Sequence, residues 1–123
     1  MADDARNARV ATEIMGWQRH NFWWLDPEDG GIMYAALPGL DTEIPHWDPR
    51  TRWDHAGMLE AKMQERGFWL ELKSPFFPGQ PYFAGFTPHK TTGWNGVPDN
   101  QELAFTGPAA IFEAAYATLE ATT

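Results

Sequence analysis

His46, Asp48, Asp54 and His55 bring two imidazoles and two carboxylates within ten residues. Such a donor set could hold zinc or another divalent cation, and a cation held there would activate water for hydrolysis. The spacing works against this reading. Asp54 and His55 are adjacent, so on a helix they point about 100° apart. His46 and Asp48 precede the helix, and no H-E-x-x-H pattern is present. Both aspartates also have a second explanation as helix starts, given below. No metal or other cofactor is expected, and a metal-dependent hydrolase on these four residues is the lesser alternative.

A second set lies in TPHKTTGWNG (87–96). His89 and Lys90 are cations, Thr91 and Thr92 supply hydroxyls, two glycines free the backbone, and Trp94 offers a stacking plane. Those are the parts that a nucleotide or an unpaired base requires. The sequence is not a P-loop, because G-x-x-x-x-G-K-[ST] is absent, and a solvated loop with a tucked tryptophan accounts for it equally well. A third set, Phe76, Phe77 and Tyr82, surrounds the loop FFPGQP. These rings could form an apolar patch that meets a protein partner or a second copy of the chain, as a homodimer, or they could fold down over a sheet. For nucleophilic catalysis the chain is poor, with one serine (Ser74) and no cysteine, and no G-x-S-x-G motif. Asp26, Glu28 and Asp29 fall in a turn, where solvation is their ordinary role.

Composition narrows the classes further. The 123 residues suit one domain, and a 43% hydrophobic content with seven tryptophans and eight phenylalanines requires a folded core. Seventeen carboxylates against nine Lys and Arg give a net charge of −8, which opposes general binding to nucleic-acid backbones. No apolar run is long enough to span a bilayer, and MADDARNARV lacks the apolar stretch of a signal peptide. A cytoplasmic location is expected. The segment from Leu72 to Pro98 holds no carboxylate, so an acidic chain contains one locally cationic stretch.

The elements that would carry these residues follow from periodicity. Val10, Ile14 and Trp17 recur at helical spacing from Asp4 to Met15, and Gly16 suits the left-handed stop. NFWWL and GIMYAAL flank DPEDGG and predict a hairpin at about 21–25 and 31–36, with Phe22 and Trp24 on one face and Trp23 on the other. The stretch 37–48 reads as a connector. A second helix starts either at Asp48 before Pro49 or at the Thr51/Asp54 capping pattern, and its buried stripe is Trp53, Ala56, Leu59 and Met63, ending at Gly67. FWLELKS alternates as a strand, with Phe68, Leu70 and Leu72 on one face and Trp69, Glu71 and Lys73 on the other. Its partner lies at about 82–87, where Gly85 suggests a bulge or a close backbone approach. ELAF adds a short strand, and Thr106 caps a last helix from Gly107 or Pro108 to about Ala121. The expected architecture is α+β, one antiparallel or mixed sheet of four to five strands packed with three helices. Trp17, Trp24, Trp53 and Trp69 are expected in the core, and Trp23, Trp47 and Trp94 in more open positions.

Three stretches together carry a resemblance: EIMGW at the first helix end, W-D-x-x-T-x-W-D-H-A at the second helix start, and TGPAAIFEAAYATL as the last helix. They resemble the phage ABA sandwich domain family of small bacteriophage and prophage proteins. The resemblance spans most of the chain in order. It implies an α/β/α sandwich and a phage or prophage origin, and it brings no chemistry with it. The acidic connector 37–48 and the loop 88–100 depart from the family pattern. The functional expectation is a phage-encoded accessory or host-interaction protein that binds a protein partner or a small ligand and is not a catalyst. The first alternative is a nucleotide-sequestering anti-defence protein.

Overall fold

A computed structural model describes residues 2–40, 43–75, 77–88 and 100–121, with backbone only at 2–4, 100 and 101. Helix α1 (Ala2–Glu13) buries Val10 and Ala11 and is braced on its outer side by an Arg9 to Glu13 ion pair at 2.6 Å, one helical turn apart. Gly16 stops the chain's helical course with φ +77°, which only glycine adopts without strain, and the Trp17 N–H turns back to the Ala11 carbonyl at 3.0 Å. The turn then delivers Trp17 to the interior.

Among the described residues the class is mixed α+β, with three helices and two three-stranded antiparallel sheets. The expected single sheet of four to five strands is thus corrected to two sheets. By its contacts the chain forms two compact units, residues 1–48 and 49–123.

In the first unit, β1 (Gln18–His20), β2 (Trp23–Leu25) and β3 (Ile32–Ala35) pair in that order. The β2–β3 hairpin is the one that the turn residues predict. Gly30 takes φ +75° and the Asp26 carboxylate accepts from the Glu28 N–H at 2.9 Å, so the acids of this turn help to shape it. Strand β1 is absent from the periodicity reading, because Gln, Arg and His are all exposed there. Its role is visible in the register: Arg19 lies opposite Trp24 and holds its guanidinium 5.8 Å from that ring. Phe22 does not share a face with Trp24. It sits in the two-residue turn beside Asn21 (φ +56°) and is 52% exposed.

The core of this unit is a trio of rings. Trp17 meets Trp47 edge-on at 4.7 Å, and Tyr34 lies 5.4 Å from each of them. Trp47 is therefore fully buried, against the expectation for a loop residue. A parallel bridge between Ala35 and His46 holds it in place, with the Trp47 N–H donating to the Ala35 carbonyl at 3.0 Å. The Asn7 side chain donates to the Trp47 carbonyl at 2.8 Å.

In the second unit, α2 (Trp53–Glu65) leads into β4 (Phe68–Lys73), β5 (Tyr82–Pro88), β6 (Asn100–Ala104) and α3 (Gly107–Ala121). The sheet order is β4-β5-β6, and α3 packs on β5 and β6 while α2 packs on β4 and α3. Gly67 ends α2 with φ +94°, as its position predicts. Neither predicted start is used. The helix begins after Arg52, which makes no side-chain cap bond, and the buried stripe is His55, Ala56, Leu59 and Met63 without Trp53. No bulge forms at Gly85. It pairs in unbroken register with Glu71 and Gln101, while the irregularity falls in the first unit at Trp24 and Leu25. Helix α3 begins as predicted, with the Ala109 N–H donating to the Thr106 hydroxyl at 3.3 Å.

Candidate functional site

Cross-strand partners share a face, so the register sorts the second sheet into two sides. Phe68, Leu70, Leu72, Tyr82, Ala84, Phe86, Glu102 and Ala104 lie on the side where Ala84 and Phe86 are fully buried. Trp69, Glu71, Lys73, Phe83 and Leu103 lie on the other. On that second side Trp69 is 56% exposed and Leu103 59% exposed. Lys73 ties its row together, its ammonium 3.3 Å from Glu71 Oε1 and 5.7 Å from the Phe83 ring. Glu71 Oε2 is buried and accepts no hydrogen bond among the described residues.

Beyond the strand ends stand further exposed rings. Phe105, directly after β6, is 78% exposed, and Phe77 in the β4–β5 loop is 67% exposed. Around Phe77 the loop closes as a turn, with Gly79 at φ +87° and the Gln80 N–H donating to the Phe77 carbonyl at 3.3 Å. Tyr82 is half-buried and is engaged elsewhere: its ring meets Trp53 edge-on at 6.4 Å. Trp53 in turn lies across Gly107, where any Cβ would collide with the indole. Trp53 and Trp69 are both surface residues, which corrects their assignment to the core. For Trp69 the signal was already in the alternation, since it shares its side of β4 with Glu71 and Lys73.

A cleft of about 380 Å³ opens beside β6 and the first turns of α3. Arg50, Glu102, Leu103, Phe105, Ala109 and Glu113 contribute to its walls. Arg50 is fixed at one end, its guanidinium 3.7 Å from Glu113 and 5.4 Å from the Phe112 ring. No sequence motif pointed to this cleft, because its walls come from the turn before α2, a strand edge and a helix.

The other predicted residues distribute as follows. Phe76, His89, Lys90, Thr91, Thr92 and Trp94 lie outside the described residues. Of the four candidate metal ligands, His55 is buried and Asp54 is taken up by Arg52, whose Nε and Nη2 lie 3.1 and 2.8 Å from its two oxygens. That guanidinium holds the Asp54 carboxyl below its ordinary range, and the neighbouring His55 adds to the effect. Among the described residues no group of three or more His, Asp or Glu is placed to hold a metal ion, and no helix is long and apolar enough to cross a membrane.

No protein-family model matches the chain, and no curated protein matches it. The chain is similar in fold to a phage protein from Bacillus cereus ATCC 14579 known from a crystal structure. The TM-score is 0.58 at 16% sequence identity, over 98% of this chain and 89% of that one.

Proposed function

We propose that this chain is a phage-encoded accessory protein that acts in the host cell by binding a protein partner through the exposed apolar side chains of its second unit. The observation that carries this reading is the exposure of Trp69, Phe77, Leu103 and Phe105 around one three-stranded sheet. Trp69 and Leu103 lie on the same side of that sheet, and exposed large apolar side chains sharing one face are a mark of interaction sites. The fold likeness to a phage protein supports the origin, and the net charge of −8 favours a basic partner by steering its approach. The nucleotide-sequestering alternative rests on His89, Lys90 and Trp94, and no observation favours it.

Photo-crosslinking in host cells tests the reading, with a photoreactive residue placed at Gln80, exposed in the same loop as Phe77 and left in place in the variant below. One reproducible partner band is expected. It should disappear in a Trp69→Thr, Phe77→Ser, Phe105→Ser variant whose melting temperature is unchanged, because all three side chains face solvent. Crosslinked products that are indifferent to these substitutions would remove the proposal.

A further inference from the structure

The order β4-β5-β6 makes β6 an outer strand, and among the described strands it pairs with β5 alone. An outer strand keeps a row of backbone donors and acceptors that a further strand can use, and natural edges are usually blunted by lysine, proline or a bulge. The β6 sequence, Asn-Gln-Glu-Leu-Ala, has no lysine or proline, and its register with β5 runs unbroken over five pairs. The cleft opens alongside this edge, with Ala109 and Glu113 of α3 as its far wall.

We infer that the β6 edge receives an extended segment of a partner protein as an added strand, with basic side chains on the cleft side and aliphatic side chains on the Leu103 side. The inference rests on the proposed binding function and names the kind of partner. Side chains of an added strand alternate between the two faces of the sheet. On the cleft side they meet Glu102 and Glu113, two carboxylates against the single guanidinium of Arg50 among the described lining residues, so cations fit there. On the other face of the sheet they meet Leu103, which also borders the cleft and is 59% exposed, and an aliphatic neighbour suits it. A second copy of the chain is the poorer occupant. Antiparallel pairing of two β6 strands about their midpoint sets Glu102 against Glu102, and each copy carries a net charge of −8.

The test uses the whole chain and three short labelled peptides: alternating Lys and Val, the same composition in two blocks, and alternating Glu and Val. Fluorescence anisotropy should give the Lys–Val alternation the tightest binding, with backbone-amide protection at 102–104 on hydrogen exchange. Leu103→Lys should abolish the preference for alternation over blocks. Glu102→Gln, a conservative change at a half-buried position, should weaken binding by roughly two- to fivefold, as expected for one partly screened charge pair. Equal binding of the alternating and block peptides would overturn the inference. So would binding without protection at 102–104, or protection of those amides in a peptide-free dimer. A crosslinked partner that is lost with the Trp69, Phe77 and Phe105 substitutions, together with no amide protection at 102–104 by any of the peptides, would leave the binding function standing and strand addition refuted.

Discussion

The two units use the same residue type in opposite ways. In the first, Trp17, Trp24 and Trp47 are each no more than 3% exposed, whereas in the second Trp53 and Trp69 are each 56% exposed. The difference lies in what else is available to fill the interior. The first unit has one helix and three short strands, so it needs ring area to exclude water, and each tryptophan can bury roughly 150–250 Å². The second unit packs two helices on its sheet, and Leu59, Met63, Ala110, Ile111, Phe112, Ala114, Ala115 and Leu119 close its core with smaller groups. Its two described tryptophans are left for the surface.

Substitution at Trp47 should break this contrast most severely. Trp47→Ala removes one side of the ring trio and is expected to cost about 3–5 kcal/mol in chemical denaturation. Trp69→Ala is expected to stay within about 0.5 kcal/mol of the parent. Comparable losses at the two positions would show that the contrast is false. A smaller effect is expected at Gly107, where Gly107→Ala drives a methyl group into the Trp53 indole and should cost about 1–3 kcal/mol. Adding Trp53→Ala should recover part of that loss, and a double-mutant cycle with no coupling would refute the contact.

Removing the cap on α3 by Thr106→Ala should cost about 1 kcal/mol, read as a lower denaturation midpoint with an unchanged slope. The least effect belongs to Asp54. Its folded-state pKa lies below the ordinary carboxylate value, so its contribution to stability is present above the unfolded pKa and is lost as pH falls through the folded one. An NMR titration of the Asp54 carboxyl should show the lowered midpoint, and Arg52→Gln should move it back upward.

Much of the second unit was legible from local pattern. The FWLELKS alternation is β4 apart from its last residue, Ser74, and Thr106 caps the helix it was expected to cap. What escaped was set by partners distant in sequence. Strand β1 has no apolar alternation to detect, since QRH exists to pair with β2 and shield Trp24. Trp47 looked like a loop ring because nothing local announces the bridge from His46 to Ala35. Trp53 sat on the expected apolar stripe, but at the first turn of α2 a helical period leaves the direction of burial open, and the ring turned over Gly107. The apolar side chains proposed for binding were visible as residues, yet their exposure depends on which side of the sheet the helices cover.

Among the described tryptophans the division between sealed and solvent-facing positions gives two populations of intrinsic fluorophore, with the half-buried Trp23 between them. Trp17, Trp24 and Trp47 should emit at short wavelength and resist acrylamide, while Trp53 and Trp69 should emit further to the red and be quenched readily. Quencher titration of the unlabelled protein therefore separates loosening of the first unit from occlusion of the second.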